Sequence, residues 1–196
     1  MSAYGLSKWA AECYGQWFAE IHPLEVVSLR YGNVYGPRQE PRGDAGVVAL
    51  FCDAALAGRP PVVFGDGLQT RDFVYVGDIA RANLAAADAV RLPSAQYNVG
   101  SGVDISLLQL LDAVASGVGV DRRDWRPVVE PARVGEVRHS RLDVSRADRE
   151  LGLRTTTALA DGVRHTVDWI RTSRLEAGPS RSVPTAPATA AVGPTV

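Results

Sequence analysis

The sequence predicts an α/β fold, because two different hydrophobic patterns alternate along the chain. A β-branched, apolar run over residues 25–31 (EVVSLRY) is typical of a buried strand. Apolar residues at positions i, i+3, i+4 and i+7 predict an amphipathic helix that contains Leu107, Leu110, Leu111 and Val114. Strands that alternate with helices in this way favour an α/β architecture.

The first half of the chain contains a predicted helix, strand, helix and strand. They cover residues 3–20, 25–31, 47–56 and 62–64. His22-Pro23 ends the first helix and Gly58 closes the second, since proline and glycine do not continue a helix. Gly65-Asp66-Gly67 forms a turn after the second strand.

The second half contains two more predicted strands and three helices. They are a strand over 73–76, a helix over 77–90, a strand over 97–99, the helix that begins near Ser106, and a last helix with the apolar stripe Leu159, Val163, Val167 and Ile170. Ser106 and Gln109 have the spacing of a capping box. Only residues 25–31 form a long strand of the buried type, which is too few for an independent doubly wound sheet. We therefore expect the chain to be incomplete.

The composition excludes several classes of partner. The 196 residues include 21 basic and 22 acidic side chains, so we expect neither a nucleic-acid nor a membrane partner. No apolar run approaches the roughly 20 residues that span a bilayer, and no secretory signal is visible. Cys13 and Cys52 lack metal-ligand spacing and are expected to be reduced and packed, as in a cytoplasmic protein. No metal site is predicted.

The C-terminal end of the chain changes abruptly in composition. Residues 176–196 (EAGPSRSVPTAPATAAVGPTV) consist mostly of Pro, Ala, Thr, Ser and Gly and have no hydrophobic period. Such a segment buries too little apolar surface to offset the entropy lost on ordering. We expect one domain over residues 1–174 and a disordered tail over 175–196.

Tyr4 and Lys8 form the first candidate catalytic pair. Residues four apart on a helix lie on one face, about one turn from each other. An ammonium beside a phenol stabilises the phenolate, and this arrangement therefore suits base chemistry. Taken alone, however, the pair is a weak signal, because both residue types are common on exposed helix faces.

Four further segments strengthen the interpretation. They are LRYGNVYGPRQ (29–39), FGDG (64–67) with QTRDFVY (69–75), YNVG (97–100) and RVGE (133–136). In order and spacing they closely resemble the C-terminal half of the extended short-chain dehydrogenase/reductase family, and within it the nucleotide-sugar epimerases. The resemblance covers essentially residues 3–174.

The resemblance implies the C-terminal part of a Rossmann-type NAD domain plus the small α/β substrate domain. The catalytic helix would cover residues 3–20, and the substrate-binding part would begin at about residue 33. The first half of such a fold, with the Gly-rich turn for the NAD pyrophosphate, would lie before Met1. Neither Gly100-Ser-Gly102 nor Gly117-Val-Gly119 has the spacing of that turn.

The resemblance also assigns roles at the cofactor. Tyr4 matches the catalytic base. Lys8 matches its partner, which also binds the nicotinamide ribose, and Tyr31 lies at the cofactor edge. NAD is therefore the expected cofactor.

Six residues are assigned by the resemblance to a UDP-sugar substrate. Asn33, Arg71 and Arg133 match diphosphate ligands, Glu136 matches an acid that contacts the ribose, and Val62 and Phe64 match the segment that receives the base. Two guanidinium groups suit a pyrophosphate. Considered alone, each arginine could instead pair with Asp72 or Glu136, and Phe64 could be ordinary core.

The implied activity is epimerisation at C4 of a UDP-hexose by transient hydride transfer to NAD. A nucleotide-sugar 4,6-dehydratase or a decarboxylase of the same family is an alternative, because the discriminating residues would lie upstream. A further alternative is an inactive fragment that binds no NAD and is poorly soluble through the unpaired edge of strand 25–31.

The first helix has unusual apolar bulk, and Trp9 and Trp17 are expected to pack in the core. In relatives this helix also builds the dimer, so a homodimer is expected for a full-length parent.

Overall fold

The structure, a computed structural model, describes residues 3–40 and 46–176. Most of the predicted tail, 177–196, lies outside the described residues. The elements, in chain order, are α1 (Ala3–Ile21), β1 (Ser28–Tyr31), β2 (Asn33–Tyr35), α2 (Val47–Leu56), β3 (Val62–Phe64), β4 (Thr70–Arg71), β5 (Phe73–Tyr75), α3 (Val76–Asp88), β6 (Gln96–Val99), β7 (Ile105–Ser106), α4 (Leu107–Val118), β8 (Val128–Glu130), β9 (His139–Ser140), α5 (Ser145–Leu151) and α6 (Leu159–Glu176).

The predicted α/β alternation is confirmed, and α2 and β3 have the predicted bounds. The capping box is also confirmed. The Ser106 hydroxyl accepts a bond from the Gln109 N–H at 3.2 Å, and the Ser106 N–H donates to Gln109 Oε1 at 2.8 Å. Helix α6 continues to Glu176, two residues beyond the predicted domain boundary.

Parallel pairing dominates the short strands. β1 pairs with β6, β2 with β5, and β3 with β8, all in parallel. The two-residue strand β4 lies between β7, which is antiparallel to it, and β9, which is parallel. These pairings bring loops that are distant in sequence to the same end of the domain.

The extended segment 28–35 changes its strand partner at Gly32. The Gly32 N–H donates to Val99 O at 2.9 Å, whereas the Asn33 N–H donates to Asp72 O at 2.6 Å. A Cβ atom on Gly32 would lie only 2.7 Å from Asp72 O. The absence of a side chain therefore allows the close approach that brings Asn33 beside β5.

The prediction of a long buried strand over 25–31 is wrong in length and in burial. The strand begins at Ser28, and Tyr31 is 43% exposed. Within 3–40 and 46–176, β6 is the one strand that pairs with β1. A strand with a single neighbour leaves one edge unpaired, and its apolar sequence is therefore only partly covered.

The main core lies between α2, α4 and α6, above β3 and β5. Both predicted helical stripes face it, which confirms their assignment. The members of these stripes that are almost fully buried are Leu110, Leu111, Val114, Val163, Val167 and Ile170. This packed unit holds the loops of the candidate site in place.

Helix α1 contributes no buried residue to this core. Trp9 is 58% exposed and Trp17 51%, so the expectation that they pack in the core is wrong for the described chain. Cys13 on the same helix is likewise exposed, contrary to the prediction of two packed thiols. Cys52 is buried as predicted, and burial raises the pKa of its thiol to about 12.

An ion pair joins α1 to β1. Arg30 donates through Nε to Glu12 Oε1 at 2.8 Å and through Nη2 to Oε2 at 2.5 Å. The hydrogen bonds from Arg30 lower the pKa of Glu12. Because this pKa is lower in the folded chain than in the unfolded one, the pair stabilises the attachment of α1 above pH ~4.3.

We expect α1 to loosen as the pH falls through the lowered pKa of Glu12, where the carboxylate is protonated and the ion pair is lost. Glu12→Gln should produce the same loosening at pH 7. Hydrogen exchange of the α1 amides measures both effects, with α4 as an internal reference. Glu20→Gln, on the same helix, is the matched control, and equal α1 protection in the two variants would contradict the expectation.

Candidate active site

A cleft of about 690 Å³ opens beside α2 and the ends of β2, β3 and β4. All six side chains that were assigned to the substrate line it. They are Asn33, Val62, Phe64, Arg71, Arg133 and Glu136. The cleft is lined by three arginines and two acids, which gives it a net positive character suited to an anion.

Strand pairing explains how residues so far apart in sequence meet. Phe64, at the end of β3, is in register with Glu130 of β8, and the loop that follows β8 carries Arg133 and Glu136. Thr70 of β4 is in register with His139 of β9, which ends that loop. Loop 131–138 is therefore fixed at both ends beside Arg71.

Arg71 is held rigidly. Its Nη1 donates to Val137 O at 2.7 Å and to Thr70 O at 2.8 Å, and its Nη2 lies 3.1 Å from Glu136 Oε1. Of the two acids considered as partners for Arg71, Glu136 forms the ion pair and Asp72 does not. Glu136 thus orients Arg71 within the cleft wall.

Asp72 lies behind the site rather than in it. It is 1% exposed, and its carboxylate accepts bonds from Ser101 N and Oγ, both at 2.7 Å, from Gly102 N at 3.0 Å, and from Leu142 N at 3.2 Å. This buried carboxylate fixes the loop after β6 and the segment after β9 to the strand that follows Arg71.

Arg133 contacts Phe64 instead of an acid. The guanidinium carbon lies 3.9 Å from the centre of the Phe64 ring, which is the geometry of a cation–π contact. Phe64 is half-buried and borders the cleft, and the core does not include it. The alternative of Phe64 as ordinary core is therefore not supported.

The structure adds charged residues that the sequence patterns did not indicate. Asp53 and Arg59 line the cleft, and Asp53 pairs with both Arg59, at 2.5 Å, and Arg174. Arg174 comes from the end of α6, far away in sequence. No short-range spacing pattern reveals such a cluster, because tertiary packing alone brings its members together.

Tyr4 and Lys8, the predicted catalytic pair, lie next to each other on α1. Lys8 Nζ lies 5.2 Å from the centre of the Tyr4 ring, and Tyr4 is 73% exposed. Tyr31 donates from its hydroxyl to Asn83 Oδ1 at 2.9 Å and borders a separate groove of about 330 Å³. None of these three side chains lines the larger cleft. The structure therefore brings the six residues assigned to the substrate into one cleft. Tyr4, Lys8 and Tyr31, which were assigned to catalysis and the cofactor, lie outside that cleft.

These residues fit one end of NAD. A phenol, an ammonium and a second phenol, on Tyr4, Lys8 and Tyr31, are suitable partners for a nicotinamide ribose. Within residues 3–40 and 46–176, no Gly-rich turn leads from a strand into a helix N-terminus in the way that dinucleotide pyrophosphates require. The donor groups of these three residues thus suit the nicotinamide end of NAD, and a turn for its pyrophosphate is not among the described residues.

Two features are absent from the described residues, 3–40 and 46–176. No helix among them is long and apolar enough to cross a membrane. Nor do three or more His, Cys, Asp or Glu side chains of this part of the chain come together as potential metal ligands.

Comparison with known proteins places this site in context. The NAD dependent epimerase/dehydratase family matches residues 1–100. The UDP-glucose 4-epimerase of Mycolicibacterium smegmatis is 41% identical over 170 residues, which are 87% of this chain and 53% of that protein. The dTDP-glucose 4,6-dehydratase of Streptomyces antibioticus is 32% identical over 192 residues, 95% of this chain and 54% of that one.

Solved structures agree with these relatives. The crystal structure of the UDP-glucose 4-epimerase from Thermotoga maritima with UDP-glucose matches with a TM-score of 0.82 and 40% identity, over 88% of this chain and 54% of that one. The chain spans about half the length of the relatives it matches. On the family match and these identities, the chain belongs to the NAD dependent epimerase/dehydratase family.

Proposed function

We propose that the chain carries the UDP-sugar site and the catalytic base of a nucleotide-sugar 4-epimerase of the UDP-glucose/UDP-galactose type. The observation that carries this proposal is the single cleft lined by all six residues assigned to the substrate. An anchored arginine, a second arginine beside an aromatic ring and a carboxylate form a set suited to a nucleoside diphosphate.

The diphosphate is the part of the substrate that the cleft holds. Arg71 and Arg133 present guanidinium groups to its oxygens, and Asn33 adds an amide donor. Glu136 accepts bonds from the ribose hydroxyls, and Val62 and Phe64 receive the base. Because binding is directed to the nucleotide, the hexose is free to turn, so that either face of its C4 could meet the hydride carrier.

Tyr4 supplies the proton chemistry. Its phenolate accepts the proton of the sugar 4-hydroxyl, and Lys8, next to the ring, stabilises the negative charge that makes this possible. When bound, NAD would supply a reversible hydride acceptor for the same carbon, so the reaction would cause no net redox change. Tyr4 then returns its proton to the oxygen of the turned sugar.

A 4,6-dehydratase is the second candidate function, because a relative with that name also matches. The higher identity to a 4-epimerase favours epimerisation. The two candidates also differ in their nucleotide, which suggests a direct comparison. A ribose offers Glu136 two hydroxyls, whereas a deoxyribose offers one, and UDP should therefore bind more tightly than dTDP.

The exposed apolar residues of α1 support a further part of the proposal. Trp9, Tyr14 and Trp17 are each more than half exposed on one helix. Exposed apolar area of this kind marks interaction surfaces. We propose that α1 contributes to a homodimer of the enzyme, which we place in the cytoplasm.

Titration of the chain with UDP, dTDP and UDP-glucose by calorimetry tests the proposal. We expect one UDP per chain, similar affinity for UDP and UDP-glucose, and weaker dTDP binding that Glu136→Gln brings closer to that of UDP. Failure of UDP to bind would overturn the proposal.

A separate experiment tests the catalytic role of Tyr4. UDP-glucose is incubated with the chain and NAD, and UDP-galactose is measured. Any conversion should disappear in Tyr4→Phe, while the UDP affinity of that variant stays unchanged, since Tyr4 lies outside the cleft. Conversion that persists in Tyr4→Phe would exclude Tyr4 as the base.

A further inference from the structure

The two arginines assigned to the diphosphate are held in very different ways. Arg71 donates to two carbonyl groups and pairs with Glu136, so its guanidinium is fixed before any ligand arrives. In the described ranges 3–40 and 46–176, no hydrogen bond or ion pair joins the Arg133 guanidinium to another group. Its contact is the face of Phe64, at 3.9 Å.

This contact competes with both roles assigned to the pair. Arg133 covers one face of the Phe64 ring, so a nucleobase that packs on that face meets the guanidinium there. A diphosphate that binds Arg133 needs a guanidinium that now lies over the ring. A base that packs on the covered face, or a diphosphate that draws the guanidinium toward Arg71, would each break this contact.

We propose that Arg133 and Phe64 form a latch that couples recognition of the base to recognition of the diphosphate. The inference rests on the proposed function, since it assumes a nucleoside diphosphate in the cleft. The base displaces Arg133 from Phe64, and the released guanidinium joins Arg71 on the diphosphate. Arg133 thus acts as a specificity residue that favours ligands carrying both a base and a diphosphate.

The surroundings of Arg133 allow this movement. Arg133 is exposed, and two residues later Gly135 has a φ of 80°, a left-handed conformation that glycine adopts without strain. The ends of the loop are fixed by β8 and β9, so the motion is confined to the side chain and its neighbours. The Arg71 guanidinium stays in place, because its hydrogen bonds do not involve Phe64 or Arg133.

The latch gives a prediction whose sign differs from that of a static site. If Arg133 must leave Phe64 to bind phosphate, Phe64→Leu releases it, and the affinity for inorganic pyrophosphate rises about two- to five-fold. The same variant binds uridine more weakly, because it loses the ring. In a static site, Phe64→Leu leaves the pyrophosphate affinity unchanged or lowers it.

A second measurement uses the unaltered chain and so does not depend on the folding of a variant. Saturating uridine should tighten pyrophosphate binding by about the same two- to five-fold, because the base has already displaced Arg133. Independent binding of the two fragments would overturn the latch. Phe64→Leu should abolish this cooperativity.

The control and the remaining outcome separate this inference from the proposed function. Leu84, which lies on α3, does not line the cleft and is 64% exposed, is changed to alanine and should leave pyrophosphate affinity unaltered. UDP binding by the unaltered chain without uridine–pyrophosphate cooperativity rejects the latch alone. No UDP binding rejects the proposed function and the latch with it.

Discussion

Arg71→Met is expected to weaken UDP binding by about 100-fold, since each charge-assisted hydrogen bond to a phosphate contributes ~1.5–3 kcal/mol and tenfold corresponds to ~1.4 kcal/mol. The side chain is already oriented by Glu136, Thr70 O and Val137 O, so little ordering cost opposes binding. Arg71→Lys keeps the charge but not the fork of donors and should recover part of the affinity.

A comparison of ligands distinguishes phosphate binding from a general structural role. The loss in Arg71→Met should be largest for UDP, smaller for UMP and absent for uridine, all measured by calorimetry. Arg138→Met is the matched control, because Arg138 pairs with Asp66 at 2.7 Å and does not line the cleft. Equal losses for UDP and uridine would show that Arg71 supports the fold rather than the diphosphate.

Asp72→Ala is expected to lower the free energy of unfolding by about 3 kcal/mol or more. Removal of the carboxylate leaves Ser101 N and Oγ, Gly102 N and Leu142 N without their acceptor, and each buried donor that stays unsatisfied costs ~1–3 kcal/mol. Typical domains are stable by only ~5–15 kcal/mol, so this change is a large fraction of the total.

Urea unfolding measures the free energy of unfolding of Asp72→Ala and of a control variant, Asp104→Ala. Asp104 is an exposed acid that accepts from Thr70 Oγ1 at 3.0 Å and lies near Arg141, and its loss should cost under ~1 kcal/mol. Asp72→Asn keeps the shape but turns an N–H₂ group toward N–H donors, and should be intermediate. Equal midpoints for the two alanine variants would contradict the role of Asp72.

The local pattern of the chain was sufficient to predict much of the fold. The spacing of Leu110, Leu111 and Val114 predicts the buried face of α4, and Ser106 with Gln109 predicts its first turn. Both are properties of neighbouring residues, which a sequence displays directly. Burial of residues 25–31 depends on what pairs with a strand, and composition alone does not provide that information.

The candidate site also has a part that the sequence could predict and a part that it could not. The resemblance to a known family assigned the six cleft residues, because each lies in a segment that matches one of the family's motifs. The contact of Arg133 with Phe64 and the cluster of Asp53, Arg59 and Arg174 arise from loops that strand pairing and helix packing bring together. Such contacts leave no regular spacing in the sequence.

A crystal structure of the chain with UDP would show directly whether the cleft binds a nucleoside diphosphate through its two arginines. We expect the diphosphate within hydrogen-bonding distance of both the Arg71 and Arg133 guanidinium groups, with the uracil against the Phe64 ring that Arg133 has left. A diphosphate bound away from Arg71, or a cleft that stays empty at saturating UDP, would contradict it.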